Sequence, residues 1–236
     1  MNGFTIDQTT AFFLIIAVAV VGMIVQGKLQ HVFNKYSKVV FPGGLTGRDV
    51  AEKMLRDNGI RDVKVTSTPG HLTDHFNPQT KTVNLSESVY NSNSIAAAAV
   101  AAHECGHAVQ HATQYAPLKM RSALVPVVSF ASQWSTWVII LGIVIASTTG
   151  SLTLFWVGIG LIALAAIFAL VTLPVEYNAS YRAIQWLESS RTLSPAQVAE
   201  AKVPLKWAAR TYLVAAFSAI ATLLYYLSMV AGRRSE

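Results

Sequence analysis

Charge is scarce in this chain. Asp, Glu, Lys and Arg make up 13% of its 236 residues, and 53% are hydrophobic, whereas an ordinary soluble domain is about a quarter charged. From Ser122 to Val175 no residue carries a charge. The apolar residues gather in blocks without a helical or strand period, which is how membrane spans read. Cysteine is almost missing. Cys105 stands alone, so no intrachain disulfide can form. Basic runs, RNA-binding signatures and zinc-finger spacings are absent too, so the net charge of +6 does not point to nucleic acid. The Lys and Arg are instead dispersed along the polar segments and flank the apolar ones, as in cytoplasmic loops. No internal repeat stands out, and Gly43-Gly44 reads as a turn outside any phosphate-binding motif.

The apolar blocks predict four spans. The first is 8–27, long enough for roughly 30 Å of hydrocarbon and without the basic start and small-residue cleavage site of a secretory signal. Lys28, Lys35 and Lys38 follow it, which puts the amino terminus outside and residue 28 onward in the cytoplasm. The uncharged stretch ending at Val175 suits two spans, 122–146 and 152–175, with Ser147-Thr148-Thr149-Gly150-Ser151 as their turn. Lys119 and Arg121 hold its start to the cytoplasm, and Trp134 and Trp137 inside it are expected to pack. The fourth span is 211–232, between Lys202, Lys206 and Arg210 on one side and Arg233-Arg234 on the other. Both termini then lie outside, and 28–121 and 176–210 are cytoplasmic.

Within 28–121 the pattern changes. Thr46 and Asp49 form a capping-box pair before a helix through Val50, Met54 and Leu55 that stops near Asn58-Gly59. Residues 63–66 and 81–85 alternate like strands, and Asn77-Pro78-Gln79 makes a turn, so 72–85 reads as a hairpin. Ser94 caps a helix over 95–115, whose alanine-rich opening is too short to span a bilayer.

That helix carries His103-Glu104-Cys105-Gly106-His107. Positions four apart lie one above the other, about 6 Å along the axis, so His103 and His107 offer two imidazoles to one point, as on a tetrahedral zinc. Glu104 is placed beside them to hold a water on the metal without ligating it. Cys105 faces away and reads as a small buried hydrophobe. The competing reading is a pair of packed histidines with a solvated glutamate.

A catalytic zinc takes three protein ligands. His111 is a turn beyond His107, about 12 Å along the axis from His103, and one ion cannot reach all three on an unbroken helix. The other candidate is Glu176 in Leu173-Pro174-Val175-Glu176, at the cytoplasmic end of the third span. Two crossings return the chain to the side of His107, and a metal would relieve the desolvation of a carboxylate abutting an apolar span. The alternative for Glu176 is an interfacial ion pair with Arg182.

The sequence resembles the YugP-like family of bacterial membrane zinc metallopeptidases over nearly its whole length. The matching stretches are Leu72-Thr73-Asp74-His75-Phe76-Asn77-Pro78, Ala101-Ala102-His103-Glu104-Cys105-Gly106-His107-Ala108-Val109-Gln110 and Leu173-Pro174-Val175-Glu176. More distantly it is similar to HtpX-type membrane proteases. The resemblance implies gluzincin-type ligation of one zinc per chain by His103, His107 and Glu176, with Glu104 as general base. Soluble gluzincins commonly carry an Asp four residues after the ligating Glu to orient the first His. Ser180 stands there, and Asn178 stands where close relatives are expected to have Asp. A metal-bound His needs an acceptor for its other nitrogen, and Asn178 and Asp74 are the candidates for His103. His75 can donate to a developing oxyanion or serve as a plain hairpin histidine, and Tyr177 and Arg182 compete for the oxyanion role.

The fold class expected is therefore mainly α: a polytopic membrane protein with about four transmembrane helices and a small α+β cytoplasmic zincin-like domain carrying the His-Glu-x-x-His helix. The function expected is a zinc metalloendopeptidase of the bacterial inner membrane, acting at the cytoplasmic face on peptide or membrane-protein segments through a zinc-activated water. The rival is a zinc-binding membrane scaffold without hydrolysis, which would have no need of an uncoordinated Glu104. A transporter reading finds only Gln133, Ser and Thr in the spans.

Overall fold

A computed structural model describes residues 7–233. The assignment of the two termini to the outside falls partly on residues 1–6 and 234–236, Arg234 among them, which lie outside the described residues. The elements run α1 (Gln8–Tyr36), α2 (Gly47–Asp57), β1 (Lys64–Thr68), β2 (His75–Asn77), β3 (Thr82–Ser86), α3 (Glu87–Tyr90), α4 (Ile95–Ala112), α5 (Ala116–Thr149), α6 (Thr153–Ser189) and α7 (Pro195–Arg233). The molecule is mainly helical, with one small sheet. Helices α1, α5, α6 and α7 are long and apolar enough to cross a membrane.

These four helices run past the uncharged stretches that announce them. With 37 residues, α6 is about 55 Å long, well beyond the roughly 30 Å of a hydrocarbon core. It does not end at Val175 but continues through Glu176 to Ser189, and α7 begins at Pro195, well before Thr211. The reason is physical. A charge excludes a residue from hydrocarbon without breaking a helix, so the change of composition marks the edge of the apolar environment and not the helix end. Pro174, inside α6, removes one backbone hydrogen bond but does not stop the helix.

The chain divides into two compact units. The first holds the described residues of 1–24, 120–173 and 211–236. Here Ile139, Phe155, Ile159 and Val230 form a small buried cluster. A Cβ on Gly142 would lie 2.7 Å from the backbone of Phe155, so only glycine permits this approach of α5 to α6. Trp134 and Trp137, expected to pack, are instead 46% and 63% exposed. They point outward from an apolar helix whose natural surroundings are lipid, where an exposed indole carries no hydrophobic cost.

The second unit holds 25–119 and 174–210. Its sheet has the order β1-β3-β2, with β1 parallel and β2 antiparallel to β3. The hairpin and both strands thus form where alternation placed them. Val83 and Leu85 are buried, while Asn84 between them turns to the other face and joins Thr66 and His75. Against the buried face pack α2 and α4. Phe41, Met54, Ile95 and Leu187 are fully buried in one core with Ala183, Val198 and Leu205, and each large apolar side chain so buried contributes about 1.5–3 kcal/mol.

Helix α4 is buried on almost every face, from Ile95 through Gln110 with only Val100 and His103 partly open. That is why its sequence is alanine-rich instead of amphipathic. Ser94 caps it through Ala97 N at 3.2 Å, and Ile95 N donates to Val39 O at 2.8 Å, which pins its start. It ends at Ala112, short of Tyr115, because Gln114 turns to a left-handed φ of 56° and Tyr115 N reaches back to Gln110 O at 2.9 Å. Helix α2 opens with the capping box: Thr46 Oγ1 accepts from Asp49 N, and Asp49 Oδ2 accepts from Thr46 N at 2.9 Å. Replacing Thr46 with Ala should cost the protein about 1 kcal/mol, read as a lower midpoint in thermal unfolding, with Thr46→Ser close to the parent.

Candidate metal centre

The helical spacing of α4 sets His103 and His107 with ring centroids 4.9 Å apart and nearly perpendicular planes. Glu176 enters from α6, 73 residues on from His103. Its Oε2 lies 3.2 Å from His103 Nε2 and 3.5 Å from His107 Nε2. Zinc bonds of about 2.0–2.1 Å put neighbouring ligand atoms of a tetrahedron about 3.3 Å apart, so both separations are tetrahedral edges. The three ligand atoms lie within 4.8 Å of one another and can hold a metal ion. Glu176 is only 2% exposed, and the two imidazoles are about a tenth exposed.

Two helices approach this closely because of Gly106. A Cβ there would fall 2.5 Å from the carbonyl oxygen of Ala179 and 3.0 Å from its Cα. No other residue fits at position 106 without pushing α6, and Glu176 with it, away from the histidines.

Each ring's other nitrogen is tied down. Nδ1 of His103 meets Ser180 Oγ at 3.0 Å, and Nδ1 of His107 meets Gln110 Oε1 at 3.0 Å. The Nε2 atoms are thereby turned toward Glu176, and two imidazole nitrogens with one carboxylate oxygen make the ligand set of a catalytic zinc with a fourth position open. Burial disfavours charge on His107, but its hydrogen bond to Glu176 and the negative charges of Glu104 and Glu176 outweigh that and raise its pKa. A field that favours a proton on this ring favours a cation beside it. Glu104 is buried to 8% exposure and has no hydrogen-bonding or ion-pair partner among the described residues, so its carboxylate is available to a water.

The remaining expected residues separate. Cys105 lies on the opposite face of α4 in the core, with Sγ 3.5 Å from Ala51 O, and burial pushes its thiol well above the ordinary range. His111 stands against the Phe76 ring at 5.7 Å. Asp74 is not the partner of His103. It accepts from Ser86 N at 2.8 Å and from Ser86 Oγ, joining β2 to β3, and its burial raises its carboxyl pKa. Asn178 does not serve His103 either, since its Oδ1 accepts from Gln110 Nε2 and Arg182 Nε. The polar group on His103 is Ser180, because four residues along α6 put it on the face of Glu176. Both nitrogens of His75 are engaged in the sheet, Nδ1 with Thr73 O and Nε2 with Asn84 Nδ2, which leaves no N–H for an oxyanion. Tyr177 is 47% exposed. Arg182 pairs with Asn178 and not with Glu176.

Two contributors are absent from the sequence-based expectations. Gln110 enters the sequence analysis only as the last residue of a family-matching stretch, yet its i, i+3 spacing from His107 carried the signal. Gly106 left no trace in the pattern, since close approach depends on the neighbouring helix.

The model of a family described as "Putative neutral zinc metallopeptidase" matches residues 11–231. The chain belongs to this family. It is 39% identical over 226 residues to the "Putative membrane protease YugP" of Bacillus subtilis (strain 168), an alignment covering 95% of this chain and 99% of that protein. No solved structure matches the chain. The family name implies zinc, and the donor set of His103, His107 and Glu176 fits that ion.

Two substitutions test the geometry. Gly106→Val should abolish stoichiometric zinc binding while leaving the helical circular dichroism of the detergent-purified protein nearly unchanged. Ser180→Ala should weaken zinc about 10–100-fold, measured by competition with a chromophoric chelator.

Proposed function

We propose that the chain is a membrane-embedded zinc metalloendopeptidase that hydrolyses peptide bonds at the cytoplasmic face of the bacterial inner membrane. One observation carries the reading: two helix histidines and a carboxylate from a second helix converge at zinc spacing, with an uncoordinated Glu104 beside them. His103, His107 and Glu176 hold one zinc per chain. The ion, when bound, supplies a Lewis acid that acidifies a water and polarises a carbonyl. Glu104 takes the proton of that water and delivers it to the leaving amine. Ser180 and Gln110 hold the rings so that Nε2 faces the ion.

The charge distribution supports the cytoplasmic side. Of the eighteen Lys and Arg, fifteen fall within 25–119 and 174–210, the unit that also contains the metal ligands, and cations flanking apolar helices favour the cytoplasmic side. A site beside such helices suits membrane-proximal segments of proteins as substrates. A non-catalytic scaffold would retain the ligands but has no use for Glu104.

Cleavage of casein or a peptide panel by the detergent-purified protein tests this. Glu104→Gln should keep zinc and lose about 10²–10⁴ in kcat/KM, whereas Glu176→Ala should lose both metal and cleavage. A Glu104→Gln protein as active as the parent contradicts the assignment.

A further inference from the structure

The sheet has two edges in different surroundings. One is β2, beside the metal helix, with the Phe76 ring 5.7 Å from that of His111 on α4. The other is β1, beside α2. An open cleft of about 680 Å³ runs between α2 and β1, and none of the three metal ligands lines it. Its apolar lining is Leu55 and Ile60, nearly buried, with Val63 and Val65, half-buried against the core.

The free edge of β1 has a fixed phase. Lys64 N donates to Lys81 O at 3.0 Å, one residue before its register partner Thr82. Bonding in a parallel ladder alternates along the strand, so Lys64, Thr66 and Thr68 direct their backbone groups to β3. Val65 and Ser67 therefore turn N–H and C=O outward, where no other described residue bonds them. Such a row of groups is a template for a further strand.

Charge selects which strand. Arg56, Arg61 and Lys64 line the cleft, are exposed, and form no ion pair among the described residues. The neighbouring carboxylates are already engaged: Glu52 by Arg48 and Asp57 by Lys53 at 2.7 Å, and Asp62 by Lys81 at 2.6 Å. A second copy of this chain, adding through its own β1, would bring Arg61 and Lys64 against the same cations, and like charges oppose that pairing. A segment that fits carries acidic side chains for the cations and apolar ones for the lining, in strand alternation.

We propose that the cleft between α2 and β1 is a docking site for an extended acidic segment of another protein, which adds to β1 as a further strand. The site is separate from the metal centre, and the inference does not rest on the zinc reading.

The test is fluorescence anisotropy with the full chain in a neutral detergent and a labelled, end-blocked peptide of alternating Glu and Val. The parent protein should bind it, more weakly as salt rises. The same peptide with Lys for Glu should not bind. N-methylation of every second residue, in one of the two phases, should weaken binding about tenfold or more by removing the N–H groups that face β1. Arg61→Glu with Lys64→Glu should cost about tenfold. Ser67→Pro, which removes an N–H that β3 does not use, should cost about the same. The methylated peptides need only the parent protein, so they decide the matter even if a variant fails to fold. Equal binding of methylated and unmethylated peptides would mark a plain basic patch, open to anionic lipid or any polyanion, and would overturn the proposal. Equal binding of the Glu and Lys peptides, or no binding up to about 1 mM, would overturn it too.

Discussion

The contact on which the site depends is the one between Gly106 and the backbone of Ala179. His103 and His107 share a helix, so their spacing is given by the helix itself. Glu176 is on another helix, and its distance from them is decided wherever the two backbones touch. A missing Cβ at position 106 lets α4 approach the Ala179 carbonyl closely enough for carboxylate and imidazoles to share an ion. Metal geometry tolerates errors of only a few tenths of an ångström, and two packed helices hold such a tolerance better than loops do.

Around that contact the polar atoms are distributed so that each imidazole is held by its second nitrogen. Ser180 takes Nδ1 of His103 and Gln110 takes Nδ1 of His107. Gln110 is itself held by Val175 and Asn178 on α6. The helix that supplies the carboxylate therefore also supports the imidazoles, and displacement of α6 would disturb all three ligands together. Cys105, in the midst of the motif, takes no part because the helix turns it into the core.

How much of this was legible depends on the range of the physics involved. The His pair and Glu104 could be read because helix periodicity is local, and the capping box on Thr46 and Asp49 and the hairpin at 72–85 for the same reason. Glu176 could be named through the count of spans, the desolvation of a carboxylate abutting an apolar span and the family resemblance, since no local spacing ties it to the histidines. Asp74 and Asn178 were expected on His103 because an acidic or amide acceptor was sought, and the structure uses the hydroxyl of Ser180. Gln110 and Gly106 act across the α4–α6 contact, which no single stretch of sequence contains. The lengths of α6 and α7 were hidden for a different reason: the end of an apolar run is visible, but the helix continuing past it is not.

The most direct test of the account is X-ray absorption at the zinc edge of the metal-loaded protein. One zinc per chain, with two imidazole nitrogens, oxygen ligands at about 2.0–2.1 Å and no sulfur, is the predicted result. A sulfur at about 2.3 Å, or a first shell with fewer than two imidazoles, would contradict it.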